Sequence, residues 1–141
     1  DYATSDDGLD ACVCYIDKHK KILTYSGAKS PLTYIDNGKL VTNKGDRQSI
    51  GYIKSDSEYE FKNHVINLQA KTTVYMKTDS IVTQPGGEKH IPFGNKRLRE
   101  VFLDCHQKAV QDQSQIISEA FDQYRADNEV VDDVTVVGLR M

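Results

Sequence analysis

The 141-residue chain has no long apolar run, which excludes a membrane-spanning helix of about 20 apolar residues. No charged segment followed by an apolar one opens it, so no signal peptide is read. Cysteine is scarce. Cys12, Cys14 and Cys105 are an odd number, with no Cys-x-x-Cys spacing. Cys12 and Cys14 are period-two neighbours on one strand face, where a mutual disulfide would need unusual geometry. All three read as reduced, mostly buried thiols of a cytoplasmic protein. Any membrane anchor is left to other parts of a larger parent, and no membrane contact is expected of this segment. Positive charge is not in excess either. A net charge of −3 supplies no basic field for nucleic acid, and none is expected as a partner. The one basic run, Lys18-His19-Lys20-Lys21, reads as a solvated hairpin tip. His19, His64, His90 and His106 lack metal-ligand spacing and read as surface or packed side chains. There is no internal repeat and no low-complexity segment.

What remains is an ordinary globular composition, 38% apolar and 28% charged, long enough for one domain over residues 1–141. After a polar start at residues 1–7, Leu9 to Asp17 reads as a strand. Its near-continuous apolar run predicts cover on both faces. Strands follow at Lys21 to Ser26 and Pro31 to Ile35. Asn37-Gly38 is a strong two-residue hairpin signal, with Lys39 to Thr42 as the returning strand. Gly45 to Gly51 reads as a loop, and Tyr52 to Phe61 as a loop or edge strand. Val65 to Leu68 and Thr72 to Lys77 are two further strands. Gln84 to Glu88 reads as a long exposed turn from its Pro and Gly content. Arg97 to about Gln111 has helical periodicity, with Leu98, Val101, Phe102, Cys105 and Ala109 on one face. Asp112 with Gln115 resembles a capping box for a second helix, whose apolar face is Ile116, Ile117, Ala120, Phe121 and Tyr124. Val134 to Leu139 closes the chain as a strand apolar on both faces. Strands first, a helical hairpin, then one strand predict a layered sandwich with outer helices.

Two carboxylate positions stand out. Thr73 to Lys77 delivers Asp79 at a strand end, and Asp132-Asp133 runs directly into the last strand. Oxygen ligands of this kind suit magnesium or manganese. By spacing alone, Asp79 reads more readily as an ordinary turn aspartate. Asp132 and Asp133 point opposite ways on an extended strand, so at most one serves a given metal. Gly86-Gly87-Glu88-Lys89 has the composition of a phosphate-cradling loop, and reads more readily as a surface turn. No covalent nucleophile is evident.

In combination the segments are more specific. They are Asp7-Gly8-Leu9-Asp10-Ala11, Tyr25-Ser26-Gly27-Ala28-Lys29-Ser30-Pro31-Leu32, Gly45-Asp46-Arg47-Gln48-Ser49-Ile50-Gly51-Tyr52 and Tyr75-Met76-Lys77-Thr78-Asp79. Gln84-Pro85-Gly86-Gly87-Glu88-Lys89, Phe93-Gly94-Asn95-Lys96-Arg97-Leu98 and Asp132-Asp133-Val134-Thr135-Val136-Val137 complete the set. Together they resemble the C-terminal part of a SpoIIE-type protein phosphatase domain, of the metal-dependent PPM class. The resemblance covers nearly the whole chain. It implies an α+β fold, an α-β-β-α sandwich of mostly antiparallel strands, of which this chain lacks the N-terminal part. It implies two Mn²⁺ or Mg²⁺ ions in the complete domain, and hydrolysis of phosphoserine or phosphothreonine by metal-activated water. The implied substrate is a phosphorylated regulatory protein of the anti-sigma-factor antagonist type. An upstream sensor or receiver domain is the implied companion in the parent chain.

Carried over by position, Asp79 matches the metal-ligand aspartate of a strand-ending Asp-Gly motif. Asp132 matches the ligand aspartate of a terminal Asp-Asp/Asn-x-Thr motif, and Asp133 its non-ligand neighbour. The resemblance places Ser80 and Asp133 beside the ligands as groups that support them, and no substrate-binding residue is assigned. Three departures bear on activity. The family's early Asp-Gly-His-Gly metal motif is absent. Ser80 stands where the family has glycine, a strain of about 1 kcal/mol if that backbone is left-handed. Thr83 stands where an aspartate is common. The 141 residues alone are therefore expected to be inactive. The alternative for the parent is a degenerate, catalytically inactive module that binds a phosphoprotein partner.

Overall fold

A computed structural model describes residues 8–51 and 55–141. The readings at residues 1–7, and the part of Tyr52 to Phe61 at 52–54, lie outside the described residues. In chain order the elements are β1 (Ala11–Asp17), β2 (Ile22–Ala28), β3 (Leu32–Asp36), β4 (Lys39–Asn43), β5 (His64–Asn67) and β6 (Thr73–Lys77). There follow α1 (Ser80–Thr83), β7 (Pro85–Gly86), β8 (Ile91–Pro92), α2 (Gly94–Cys105), α3 (Val110–Arg125) and β9 (Val136–Arg140). Two compact units emerge: residues up to 32 with 42–68, and residues 33–41 with 69–141.

The first unit is built on a three-stranded antiparallel sheet in the order β1-β2-β5. Leu23 and Tyr25 on β2 are fully buried. Burial, with the neighbouring Cys12 second, pushes the Tyr25 hydroxyl up to about 12. The apolar run of β1 is not covered on both faces as its sequence predicts. Val13 and Tyr15 are 69% and 67% exposed because they lie on the sheet's open face, which Val65 of β5 shares through the Tyr15–Thr24–Val65 register; the opposite face of β1 carries the half-buried Cys12, Cys14 and Ile16. Residues 55–63 form no regular element.

The second unit carries the four-stranded sheet β4-β3-β6-β9. Asn37 (φ 49°) and Gly38 (φ 74°) turn between β3 and β4, as the Asn-Gly signal requires. Strand β6 lies between β3 and β9, antiparallel to both, with Tyr34 opposite Val74 and Leu139 also opposite Val74. Thr73, Val74 and Tyr75 are all buried, so both faces of β6 are covered. Helices α2 and α3 close on a core of Ile35, Tyr75, Ile81, Phe93, Leu98, Phe102 and Phe121. Tyr75 stacks on Phe102 at 4.0 Å between ring centroids. Its hydroxyl donates to Gln113 Oε1 at 2.7 Å. Strand β9 is not apolar-buried on both faces; Val137 is exposed.

The helical hairpin begins and ends differently from its sequence pattern. Helix α2 stops at Cys105, leaving Ala109 outside it. Helix α3 starts at Val110 with Ala109 at its N-cap and no side-chain cap. Asp112 therefore sits in the first turn, complementing the helix dipole, and the Asp112/Gln115 capping box is not formed. The junction is organised instead by the buried Gln113 amide, whose Nε2 donates to the carbonyls of His106 and Lys108.

Candidate metal centre

Strand β6 ends at Lys77, and the chain turns at Thr78 and Asp79 into the single turn α1. Asp79 occupies the N-cap position in helical geometry (φ −72°, ψ −21°), and its carboxylate makes no capping hydrogen bond. A side chain relieved of that task is available to another partner. On the neighbouring strand, residues 132–135 lead into β9, which pairs with β6 in a register that sets Lys77 opposite Val136.

Side chains on either side of Asp79 fasten the two segments. The Ser80 hydroxyl donates to the Asp133 carbonyl at 2.6 Å. Thr78 accepts from the Thr135 N–H at Oγ1 (3.0 Å) and donates its own N–H to the Thr135 carbonyl (3.0 Å). The segments bearing Asp79 and Asp132-Asp133 are therefore joined directly, though more than fifty residues separate them in sequence. Asp132 Oδ1 accepts the N–H of Asp133 at 2.8 Å. Asp79, Asp132 and Asp133 are all exposed. The ion pairs found among the described residues, Lys20–Asp17 and Arg125–Asp122, involve none of them.

Ser80 is unstrained. It is helical, and it is not among the positive-φ residues described. The left-handed cost expected for serine at a glycine position does not arise, and the buried hydroxyl instead gains the Asp133 carbonyl. The long exposed turn expected at 84–88 also proves different. Gln84 is fully buried, and Pro85–Gly86 pairs with Ile91–Pro92 as a short antiparallel ribbon. A Cβ on Gly86 would lie 2.3 Å from the Tyr124 carbonyl oxygen, so only glycine lets the ribbon lie against α3. Glu88, Lys89 and His90 remain exposed at its tip.

Sequence reasoning singled out neither Gln84 nor Lys77. Burial pushes the Lys77 ammonium below its ordinary range, and the Asp79 carboxylate beside it draws it back up. A cation on β6 thus already feels the field of Asp79.

Hard carboxylate oxygens, exposed and without ion-pair partners, fit in kind what a divalent magnesium or manganese ion takes. No group of three or more His, Cys, Asp or Glu side chains gathers at one point among the described residues. A cavity of about 430 Å³ in the second unit is lined by apolar groups of α1, α3, β9 and the segment before β9, such as Ile81, Ile117, Phe121, Val134 and Val136. Asp79, Asp132 and Asp133 are not among its lining residues.

The family model of stage II sporulation protein E (SpoIIE) matches residues 3–141. The chain belongs to the SpoIIE family. Its fold is that of PP2C-type phosphatase domains. The SiaA PP2C domain of Pseudomonas aeruginosa superposes with a TM-score of 0.87 at 25% identity, over 95% of this chain and 52% of that one. The phosphatase domain of SpoIIE from Bacillus subtilis, presoaked with Mn, gives 0.71 at 16% identity, covering 94% and 56%. RsbX in complex with magnesium gives 0.62 at 15% identity, covering 95% and 57%. The chain thus spans about half the length of the solved domains it matches. Among curated proteins, none matches it. No helix among the described residues is long and apolar enough to cross a membrane.

Proposed function

We propose that the chain is the C-terminal portion of a metal-dependent protein serine/threonine phosphatase domain. Its task in that domain is to present Asp79 and Asp132 to Mn²⁺ or Mg²⁺. One observation carries the reading: Thr78 and Ser80 fasten the Asp79 turn to the backbone of Asp133 and Thr135, joining two carboxylate-bearing segments at one rim. Asp79 and Asp132 would hold the ions, while Asp133 and Ser80 support them through the local backbone. Such ions, when bound, polarise the phosphoryl group and activate water. Family membership and the PP2C fold supply the reaction class. The substrate read from the resemblance is a phosphoserine or phosphothreonine on a regulatory protein of the anti-sigma-factor antagonist type. The setting is the cytoplasm, with a sensor or receiver domain upstream. The 141 residues by themselves supply too few carboxylates for a two-ion site and have little activity.

The test uses a chain extended to the full length of its relatives' phosphatase domains. It hydrolyses a phosphoserine peptide with Mn²⁺ or Mg²⁺ and stops when the metal is chelated. Asp79→Asn lowers the rate by at least about a hundredfold, the upper end for loss of a group supporting a metal site. Full activity in Asp79→Asn removes that residue from the metal site. Mn²⁺ binding without hydrolysis turns the reading to a module that grips a phosphoprotein.

A further inference from the structure

Resting on this metal reading, we infer that Gln84 is a positioning residue that holds Asp132 in register with Asp79. Gln84 is 0% exposed, at the C-terminal end of α1 and five residues beyond Asp79. Its side-chain Nε2 donates to the carbonyl of Glu129 at 2.9 Å and to that of Pro85 at 3.1 Å. Its Oε1 accepts the N–H of Val131 at 3.2 Å. The Gln84 backbone is itself fixed. Its N–H donates to the Ser80 carbonyl at 3.1 Å, and its carbonyl accepts from Phe93 N–H at 2.9 Å.

The side chain therefore reads the segment 129–131 from both sides, as a donor to one residue and an acceptor from another. Residues 126–135 contain no helix or strand that would order them from within. The hydrogen bonds that anchor residues 129–135 come from Thr78, Ser80 and Gln84. Asp132 sits between Val131, held by Gln84, and Asp133, held by Ser80. An amide suits the task because it donates and accepts at once, and it stays uncharged when buried. An apolar side chain of the same size would fill the space and leave two backbone groups of the acidic segment unpaired.

A second buried glutamine serves as the control. Gln113 is 3% exposed and makes an equivalent set of bonds, to Tyr75, His106 and Lys108, at the α2–α3 junction. The experiment compares Gln84→Leu with Gln113→Leu in the full-length domain, by amide hydrogen exchange without metal and by calorimetric titration with Mn²⁺. Gln84→Leu speeds exchange across residues 129–133 and weakens Mn²⁺ binding by about tenfold or more, as loss of a supporting group does. Gln113→Leu leaves both unchanged. Gln84→Met, unbranched and as long as glutamine, gives the same result if the leucine variant does not fold. Unchanged exchange over 129–133, or an equal rise in Gln113→Leu, overturns the inference. Raised exchange with unaltered Mn²⁺ affinity overturns the positioning role. If the unmodified domain binds no Mn²⁺ while Gln84→Leu still raises exchange, the metal reading fails and the tether stands.

Discussion

Replacing Ser80 by the glycine its family usually carries should destabilise the domain. Two effects act in the same direction. The Ser80 hydroxyl, in a residue 3% exposed, donates to the Asp133 carbonyl at 2.6 Å. Removing the donor costs about 1–2 kcal/mol, since the carbonyl keeps only a long contact of 3.4 Å from Thr78 Oγ1. Ser80 also has helical backbone geometry, so glycine adds roughly 0.5–1 kcal/mol of lost chain entropy. Ser80→Gly should therefore lose about 2 kcal/mol, and Ser80→Ala about 1 kcal/mol, the hydrogen-bond part alone. Urea unfolding of both variants, with the midpoint compared at constant m, separates the two contributions. A Ser80→Gly domain as stable as the original, or more so, would refute the reasoning. It would mean that the turn prefers the left-handed conformation that glycine alone adopts cheaply.

Two further outcomes follow from packing and titration. Gly86→Ala sets a methyl 2.3 Å from a backbone oxygen of α3 that cannot rotate away, which should cost about 1–3 kcal/mol; an unchanged melting temperature would show that the ribbon moves aside freely. Burial, with Cys12 adding to it, pushes the Cys14 thiol up to about 11. At pH 8 only about one Cys14 in a thousand is then thiolate, and iodoacetamide should label it roughly a hundredfold more slowly than a free thiol; site-resolved mass spectrometry reads the rate. Because the folded value lies above the unfolded one, this stability is intact below pH 9 and is lost as pH rises through 11. Stability that increased over that range would contradict the burial.

Much of the sheet framework was legible because its signals are local. Asn37-Gly38 dictates its turn through backbone preference alone, and both residues have positive φ. The α2 face of Leu98, Phe102 and Cys105 follows from helical period and is buried as expected. The errors arise where an apolar run does not say what covers it. Val13 and Tyr15 read like the residues of a strand covered on both faces, yet they lie on the open face of their sheet, beside the equally exposed Val65. The pattern of β6, by contrast, does describe a covered strand: Val74 and Tyr75, on opposite faces, are both buried. The capping box failed because α3 already begins at Val110, which places Asp112 inside its first turn and not at the N-cap. Gln113, three residues into α3, satisfies the carbonyls of the junction, a contact set by tertiary packing and invisible in the spacing of Asp112 and Gln115.

At the candidate metal centre the sequence put forward Asp79 and Asp132, and it did not reveal the hydrogen bonds that join the segments carrying them. Asp79 and Asp132 are recognisable by their place at strand ends, a property of the chain near each of them. What brings their segments together is a set of hydrogen bonds spanning 45 to 57 residues of sequence, from Thr78, Ser80 and Gln84. None of these three is unusual by type, and Gln84 is followed by Pro85, Gly86 and Gly87, a composition that argues for an exposed turn. Burial inverted its meaning: a glutamine in water is spare, whereas one sealed in a core must find partners for both ends of its amide. Those partners lie on the acidic segment. The same logic recasts Ser80, which reads as a loss where glycine is usual and stands in the structure as a donor to the neighbouring acidic segment. A departure from a family motif is thus evidence of decay only after the partners of the new side chain have been identified.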